Sequence, residues 1–253
     1  WKTLEMNIYF LTGMPRAGNT LFGSLMNQNP NIKVSPNSIC ALLMKNILNI
    51  KNEQQYKNFP DYTAVDNVVD NFFKNYYKHY NCKNILDRAP WGHPEYYNII
   101  KQVIKNRKYV ILYRPFIEVL ASFAAKDKPT DFETYCNRII QGSYSAVIVD
   151  SLISVENIVK EKEDYILINY KDLVNEPNIQ LKKVCNFLNI EFIEPDYNNI
   201  KQFNINEIEY DDSKLPNNYH KIKTNGIEKS KIVVEEILPK NIIEKYKNFD
   251  VKF

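Results

Sequence analysis

The segment spanning residues 7–28 constrains the fold more than any other part of this chain. Residues 7–12 form a short apolar run, residues 13–18 carry glycine at both ends, and residues 20–28 have apolar side chains at helical spacing. This order predicts a buried strand, a tight turn and a helix. Three of the six glycines lie here, which indicates unusual backbone geometry in the turn. Because such a turn at a helix N-terminus directs backbone N–H groups at one anion, we expect an anion-binding site.

The turn reads GMPRAGNT and comes close to the phosphate-binding pattern G-x-x-x-x-G-K-[ST]. Asn19 stands where that pattern has lysine, and Arg16 lies inside the turn. Without the lysine, no side chain spans the β- and γ-phosphates, so a nucleoside triphosphate fits poorly. Arg16 can fork onto one phosphate and a neighbouring anionic group. The turn therefore predicts a nucleotide whose 5′ end is not a triphosphate, with an ordinary glycine-containing turn as the alternative.

Apolar runs and helical spacing alternate along the chain to about residue 190. Further strands are predicted at 32–34, 84–87, 109–113 and 165–169, and helices at 41–50, 65–80, 94–104, 116–125, 132–160 (with a break near Gly142) and 179–188. This alternation predicts an α/β fold: a single domain whose mostly parallel central sheet of about five strands is flanked by helices, as in the P-loop NTPases. We expect one domain over residues 1–253, with the motifs in 8–190 and a C-terminal segment, 191–253, that caps the ligand sites.

Composition narrows the class of partner and the compartment. The 33 basic and 30 acidic side chains give a net charge of +3, which is too balanced to indicate a nucleic-acid partner. No apolar run is long enough for a membrane span, and no signal-peptide pattern is present. The four cysteines are far apart, and neither they nor the three histidines have metal-ligand spacing. These features predict a cytoplasmic protein without a metal; they leave the oligomeric state open.

Several polar side chains directly follow predicted strands. Arg114 ends the run YVILYR, and Ser122 follows it by eight residues in the next helix. Arg88 and Tyr170 each end another predicted strand. In doubly wound sheets ligands bind at the carboxyl edge, so Arg114 and Ser122 are candidates for a second phosphate, and Tyr170 for a base. Each also has an ordinary interpretation, as a surface charge, a helix residue or a core aromatic.

These motifs, taken together, resemble those of the sulfotransferases that use 3′-phosphoadenosine 5′-phosphosulfate (PAPS). TGMPRAGNTLFGSLMNQNPNI resembles their 5′-phosphosulfate loop, commonly P-R-S-G-T-T-L or P-K-S-G-T-T, and LYRPFIEVLASF resembles their 3′-phosphate segment. LDRAP is similar to their K-T-P or K-D-P segment, and INYKDLVNEPNIQLKKVCNFLNI to the Y-E-D-L…P…FLG segment. The resemblance covers about residues 8–190. It is closer to the bacterial and tyrosylprotein-type members than to the cytosolic animal enzymes, because the loop cation is arginine.

The resemblance implies a set of site residues. The 5′-phosphosulfate is expected to lie against Arg16, Ala17, Gly18, Asn19, Thr20 and Leu21. Arg114 and Ser122 are expected to hold the 3′-phosphate and Tyr170 to contact the adenine, while Arg16 and Arg88 stabilise charge around the sulfuryl group. In the C-terminal segment, Lys223 and Gly226 are candidates for the family's basic loop over the 3′-phosphate.

The resemblance also implies a reaction. Its members move a sulfuryl group from PAPS to a hydroxyl or amine in line and without a metal, and release PAP, the desulfated nucleotide. A sulfuryl group in transfer carries less negative charge than a phosphoryl group, so cationic side chains and backbone N–H groups can suffice. The acceptor is expected to be a small molecule, a carbohydrate or a peptide, set by the loops between the motifs.

The general base is where the sequence departs most from the family. The tyrosylprotein enzymes have a glutamate after the second strand, where this chain reads Ser35-Pro36-Asn37. His93 is the nearest titratable side chain with a suitable ordinary pKa, and we predict that it is the base. A helix-terminal surface histidine is the alternative interpretation, and His220 and then Asp87 are the next candidates.

Two other functions remain compatible with these motifs. The first is a P-loop kinase or NTPase with a degenerate phosphate loop, in which NILDR supplies Asp87 as a Mg²⁺ ligand. The missing lysine and the pair of Arg114 and Ser122 count against it. The second is a nucleotide-binding protein without catalytic activity.

Overall fold

Five parallel strands form the central sheet of the computed structural model, which describes residues 6–141, 145–205, 208–211, 222 and 226–253. In chain order they are β1 (Asn7–Gly13), β2 (Ile32–Val34), β3 (Asn84–Arg88), β4 (Lys108–Tyr113) and β5 (Asp164–Asn169). The spatial order is β2-β3-β1-β4-β5, so β1 is the central strand. A separate two-stranded antiparallel hairpin consists of β6 (Asn204–Ile205) and β7 (Ile208–Glu209).

Helices connect and cover the strands. The α-helices are α1 (Asn19–Met26), α2 (Cys40–Asn49), α3 (Gln54–Asn58), α4 (Tyr62–Asp70), α5 (Phe72–Tyr76), α6 (Pro94–Val103), α7 (Phe116–Asp127), α8 (Phe132–Gln141), α9 (Ser145–Lys160), α10 (Tyr170–Asn175), α11 (Pro177–Leu188), α12 (Val234–Ile237) and α13 (Lys240–Tyr246). Short 3-10 turns lie at Ile50–Asn52 and Lys78–Tyr80. None of the helices in the described part of the chain combines the length and the apolar character that crossing a membrane requires.

The sheet is buried on both faces. Phe10 and Leu11 are neighbours in β1 and therefore point to opposite faces, and both are fully buried. On one side, the ring of Phe10 packs against Trp91 and Tyr109, with centroids 5.1 and 5.4 Å away. This burial explains why the strands are continuous apolar runs, and it confirms the predicted α/β class with a five-stranded parallel sheet.

One helix prediction was wrong in detail. The stretch 65–80 is not one helix, because α4 ends at Asp70 and α5 begins at Phe72. Asn71 between the two helices forms a turn, and Phe72 and Phe73 after it are both buried. The stretch 132–160 contains two helices, α8 and α9, which agrees with the predicted break near Gly142; Gly142 itself lies outside the described residues. The short helices α3, α10, α12 and α13 were missed.

The C-terminal segment packs back on the sheet domain. Asp250 accepts hydrogen bonds from the Tyr113 hydroxyl and, at 3.4 Å, from the backbone N–H of Phe116. The ring of Phe249 packs edge-on against Phe116, with centroids 4.8 Å apart. These contacts bring the last residues of the chain to the carboxyl end of β4, where the candidate site lies.

Candidate active site

The turn between β1 and α1 has the unusual backbone geometry that its glycines indicate. Gly13 has φ 147°, and a Cβ atom there would lie 2.1 Å from the carbonyl oxygen of Leu112 in β4. Arg16 and Gly18 both have left-handed backbones, with φ 61° and 80°. A non-glycine residue in this region is uncommon, and such residues cluster at functional sites. The turn is therefore a built cradle at the N-terminus of α1, where N–H groups converge.

Ala17 and Asn19 stand where the P-R-S-G-T-T-L loop has serine and threonine. Ala17 is fully buried. Asn19 is 5% exposed, and its side-chain amide donates to the carbonyl oxygen of Met14 at 2.8 Å. Asn19 therefore ties the helix back to the start of the turn. Thr20 and Leu21 follow it in the first turn of α1 and are partly buried.

Two hydrogen bonds that run in opposite directions cross-link the turn to Ser122 in α7 and to Arg114, which directly follows β4. Arg16 Nε donates to Ser122 Oγ at 3.1 Å. Arg114 Nη1 donates to the backbone carbonyl oxygen of Arg16 at 3.2 Å. Arg114 and Ser122 are themselves 4% and 3% exposed. The structure thus brings together the residues predicted for the 5′- and 3′-groups of a nucleotide, at the carboxyl edge of β1 and β4.

Tyr170 belongs to the same cluster. It begins α10, directly after β5, and Arg114 Cζ lies 4.5 Å from the centre of its ring. A Cβ atom on Gly18 would lie 3.3 Å from this ring. The ring therefore lies next to both the cradle and the guanidinium group, and its cation–π contact helps to hold Arg114 in place.

Two further residues contact Arg114 that sequence reasoning missed. Glu118 Oε2 pairs with Arg114 Nε at 3.3 Å, and Ser230 Oγ accepts from Arg114 Nη2 at 3.4 Å. The i, i+4 spacing of Arg114 and Glu118 is a signal that could have found the first. Of the predicted C-terminal candidates, Lys223 lies outside the described residues, and Gly226 lies nearest the carbonyl oxygen of Tyr197.

Arg88 lies on the neighbouring strand β3 and points to the segment after β2. Its Nη1 donates to the carbonyl oxygen of Pro36 at 2.7 Å, and its backbone N–H donates to Ser35 Oγ at 2.8 Å. Burial lowers the pKa of the Arg88 guanidinium to about 10, so it is still a cation at neutral pH. The structure thus places a cation at the same edge of the sheet, one strand from the cradle.

His93 lies at the start of α6, five residues beyond Arg88. Its Nε2 is 4.0 Å from Asp150 Oδ1 in α9, and its ring centre is 5.8 Å from that of Tyr96. Its Nδ1 is buried and has no hydrogen-bond partner within the described residues. His93 therefore packs between α6 and α9, and these contacts lie on the two helices instead of on the cradle.

The other two candidates for a base differ sharply in what the structure shows. Asp87 is fully buried, and its two carboxylate oxygens accept from the Tyr77 hydroxyl and from Trp91 Nε1, the latter at 2.8 Å. Burial raises the pKa of this carboxyl. His220 lies outside the described residues. Within the described part of the chain, no group of three or more His, Cys, Asp or Glu side chains is arranged to hold a metal ion.

Comparison with known proteins agrees with this geometry. The fold matches a sulfotransferase domain from the Synechococcus PCC 7002 olefin synthase (16% identity, 83% of this chain and 82% of that one, TM-score 0.55). It also matches a sulfotransferase from Alicyclobacillus acidocaldarius (16% identity, 76% of this chain and 84% of that one, TM-score 0.52). A third match is a sulfotransferase domain from the curacin biosynthetic pathway (19% identity, 75% of this chain and 76% of that one, TM-score 0.51). No curated protein sequence matches the chain significantly. The model of the sulfotransferase family matches residues 9–194. The chain is therefore a member of the sulfotransferase family.

Proposed function

We propose that this sulfotransferase uses PAPS as its donor and transfers the sulfuryl group in line to a hydroxyl or amine, without a metal. The observation that carries the proposal is the cross-link between the cradle and α7, in which Arg16, Ser122 and Arg114 meet. Two guanidinium groups and a hydroxyl beside one set of backbone N–H groups fit a nucleotide with anionic groups at both its 5′ and 3′ positions. A 5′-triphosphate would need one extended anion site instead.

The residues present fit the donor part by part. The backbone from Arg16 to Leu21 would receive its 5′ end, since the left-handed turn and the start of α1 gather N–H donors there. Arg114 and Ser122 would hold the 3′-phosphate. Tyr170, whose ring lies next to Arg114 and to Gly18 of the cradle, would contact the adenine. Lys223 and Gly226 are proposed to cover the 3′-phosphate.

PAPS supplies a sulfuryl group on a good leaving group. The protein's role is to place positive charge where negative charge develops. Preorganised donors of this kind commonly make the largest single contribution to catalysis. Arg16 is the proposed donor to the oxygen that leaves, and Arg88 is a second cation at the same edge. Because arginines remain charged at neutral pH, the site needs no cation from solution.

His93 is proposed as the general base that accepts the acceptor's proton. It is a residue with a suitable ordinary pKa, and Asp150 lies near one of its ring nitrogens while the other has no partner in the described structure. Asp87 is a poorer candidate, because both of its oxygens already accept hydrogen bonds inside the core. The proposed acceptor is a small molecule, a carbohydrate or a peptide. We also propose a cytoplasmic location, since all four cysteines are buried free thiols.

A degenerate kinase or NTPase is the competing function. It would require Asp87 as a Mg²⁺ ligand, but that carboxylate is fully buried and hydrogen-bonded on both oxygens. It would also require a cation at position 19, where Asn19 instead bonds to the cradle backbone. Both observations favour sulfuryl transfer over phosphoryl transfer.

Nucleotide binding and turnover together test the proposal. PAP should raise the melting temperature in EDTA, whereas ATP with Mg²⁺ should not. Incubation with PAPS and panels of alcohols, sugars, amines and tyrosine peptides should then form PAP only when an acceptor is present. Stabilisation by ATP–Mg²⁺ and not by PAP would overturn the proposal. Stabilisation by PAP without transfer to any acceptor would favour a nucleotide-binding protein without catalytic activity.

A further inference from the structure

Arg114 is a nearly buried cation whose donor groups are spread over several partners. Its Nε pairs with Glu118, its Nη1 donates to the carbonyl oxygen of Arg16, and its Nη2 donates to Ser230. A tyrosine ring covers its face. Among these partners, Glu118 is the anion, and it lies four residues after Arg114, in the first turn of α7. It therefore holds the Nε edge of the guanidinium from the helix that directly follows Arg114.

Fixing the Nε edge determines where the other edge points. A guanidinium is planar, so once Nε is bound to Glu118 and the ring of Tyr170 covers the face, the two Nη groups can rotate little. They then point at the cradle and at Ser230. Without Glu118, the flexible side chain of Arg114 would regain rotamers that aim these donors elsewhere.

The charge of Glu118 raises an apparent difficulty, since a carboxylate next to a phosphate site repels the ligand. Lys171 resolves it. Lys171 Nζ lies 2.8 Å from Glu118 Oε1, so the two oxygens of Glu118 are divided between two cations. Arg114, Lys171 and Glu118 together carry a charge of +1, which still favours an anion. Glu118 can thus orient Arg114 without making the site negative.

We infer that Glu118 is a positioning residue that sets selectivity for donors with a 3′-phosphate, through the aim of Arg114. This inference rests on the proposed PAPS function. Glu118 does not itself contact the ligand. Its effect should therefore be confined to the 3′ end of the nucleotide and should not extend to the cradle that receives the 5′ end.

Binding of two nucleotides that differ only at the 3′ position tests this without knowledge of the acceptor. Affinities for PAP and for adenosine 5′-monophosphate (AMP) are measured by calorimetry on the full chain, and their ratio is the readout. Glu118→Ala removes the acceptor for Arg114 Nε, and Glu118→Asp keeps the charge but withdraws it by one methylene. Glu118→Gln keeps an acceptor of the same reach. Glu133→Ala is the matched control. Glu133 is an exposed glutamate on the next helix, α8, and it pairs with Lys245 at 3.8 Å.

The Ala and Asp variants should each lose roughly tenfold or more of the preference for PAP over AMP, the usual effect of removing a hydrogen bond to a charged group. AMP affinity should change little. The Gln variant should keep the preference within about threefold, and the control should behave as wild type. If both the Ala and the Asp variant kept the wild-type preference for PAP over AMP, the inference would be overturned. Equal losses of affinity for PAP and for AMP would also overturn it. If Glu118→Ala does not fold, the Asp variant decides. Failure of wild type to bind PAP would instead overturn the proposed function and this inference with it.

Discussion

At the scale of single residues, Arg114 is the proposed source of discrimination at the 3′ position. Arg114→Ala should remove most of the preference for PAP over AMP while leaving AMP affinity nearly unchanged, because only PAP has the 3′-phosphate. We expect a loss of about 1.5–3 kcal/mol in PAP binding, measured by calorimetry. Arg138→Ala is a matched control, since Arg138 is an exposed arginine that also lies over a tyrosine ring, 5.8 Å from Tyr135. Equal losses for both nucleotides would refute the role of Arg114.

His93 is the residue on which the proposed proton transfer depends. His93→Gln should slow sulfuryl transfer to the acceptor by about 10²–10⁴-fold, the range usual for a general base, while PAP affinity stays near the wild-type value. Single-turnover rates and calorimetry measure the two quantities separately. His79→Gln serves as the control, because His79 is exposed and lies in the 3-10 turn Lys78–Tyr80. A His93 variant that transfers at the wild-type rate would direct the search to His220.

At the scale of elements, the cradle depends on its glycines to different degrees. In Gly13→Ala the new Cβ would lie 2.1 Å from a backbone oxygen of β4, which cannot move without distorting the sheet. In Gly18→Ala the nearest atom is a side-chain carbon of Leu173, 3.2 Å away, which can adjust. Both positions have positive φ. We expect Gly18→Ala to cost about 1 kcal/mol of unfolding free energy and Gly13→Ala clearly more, measured by urea unfolding. Equal costs would contradict this account of the turn.

The secondary-structure elements also show how much of the fold can be predicted from sequence patterns. The strands could be predicted because a parallel sheet buried on both faces leaves continuous apolar runs such as that of β4. The division of 65–80 could not, because it depends on Phe73 reaching the rings of Phe10 and Trp91. Those partners are far away in sequence, so local periodicity does not register them.

The candidate site was predictable to a similar extent. Arg16 and Arg114 follow the ends of β1 and β4, Ser122 lies in the helix after β4, and strand ends of a parallel sheet share one edge, so their meeting follows from topology. Ser230 was not predictable, because its contact with Arg114 spans 116 residues and its surroundings show no regular pattern. The position of His93 against Asp150 depends likewise on how α9 packs.

At the scale of the whole molecule, buried acids should make the fold sensitive to alkali. Burial raises the pKa of the thiols of Cys136 and Cys185 to about 11 and of the phenols of Tyr80 and Tyr197 to about 12. In the unfolded chain the thiols have a pKa of about 8.5 and the phenols a pKa of about 10. The unfolded state therefore releases protons first, so the stabilising contribution is complete below about pH 8.5 and is lost as the pH rises to about 12.

Melting temperatures measured from pH 7 to pH 11 should accordingly fall with a slope that steepens above pH 9. Cys136→Ala should lower the starting temperature, because it leaves a cavity, and should make the slope shallower. An identical slope in wild type and variant would show that the buried thiol does not contribute to alkaline unfolding.

The central claim is that the cradle and α7 together form one site for a nucleotide with groups at both its 5′ and 3′ ends. A crystal structure of the chain with PAP tests it most directly. The predicted result is a 5′-phosphate against the backbone of residues 16–21, and a 3′-phosphate within hydrogen-bond distance of Arg114 and Ser122. PAP bound in the reverse orientation, or away from the carboxyl edge of β1 and β4, would contradict the claim.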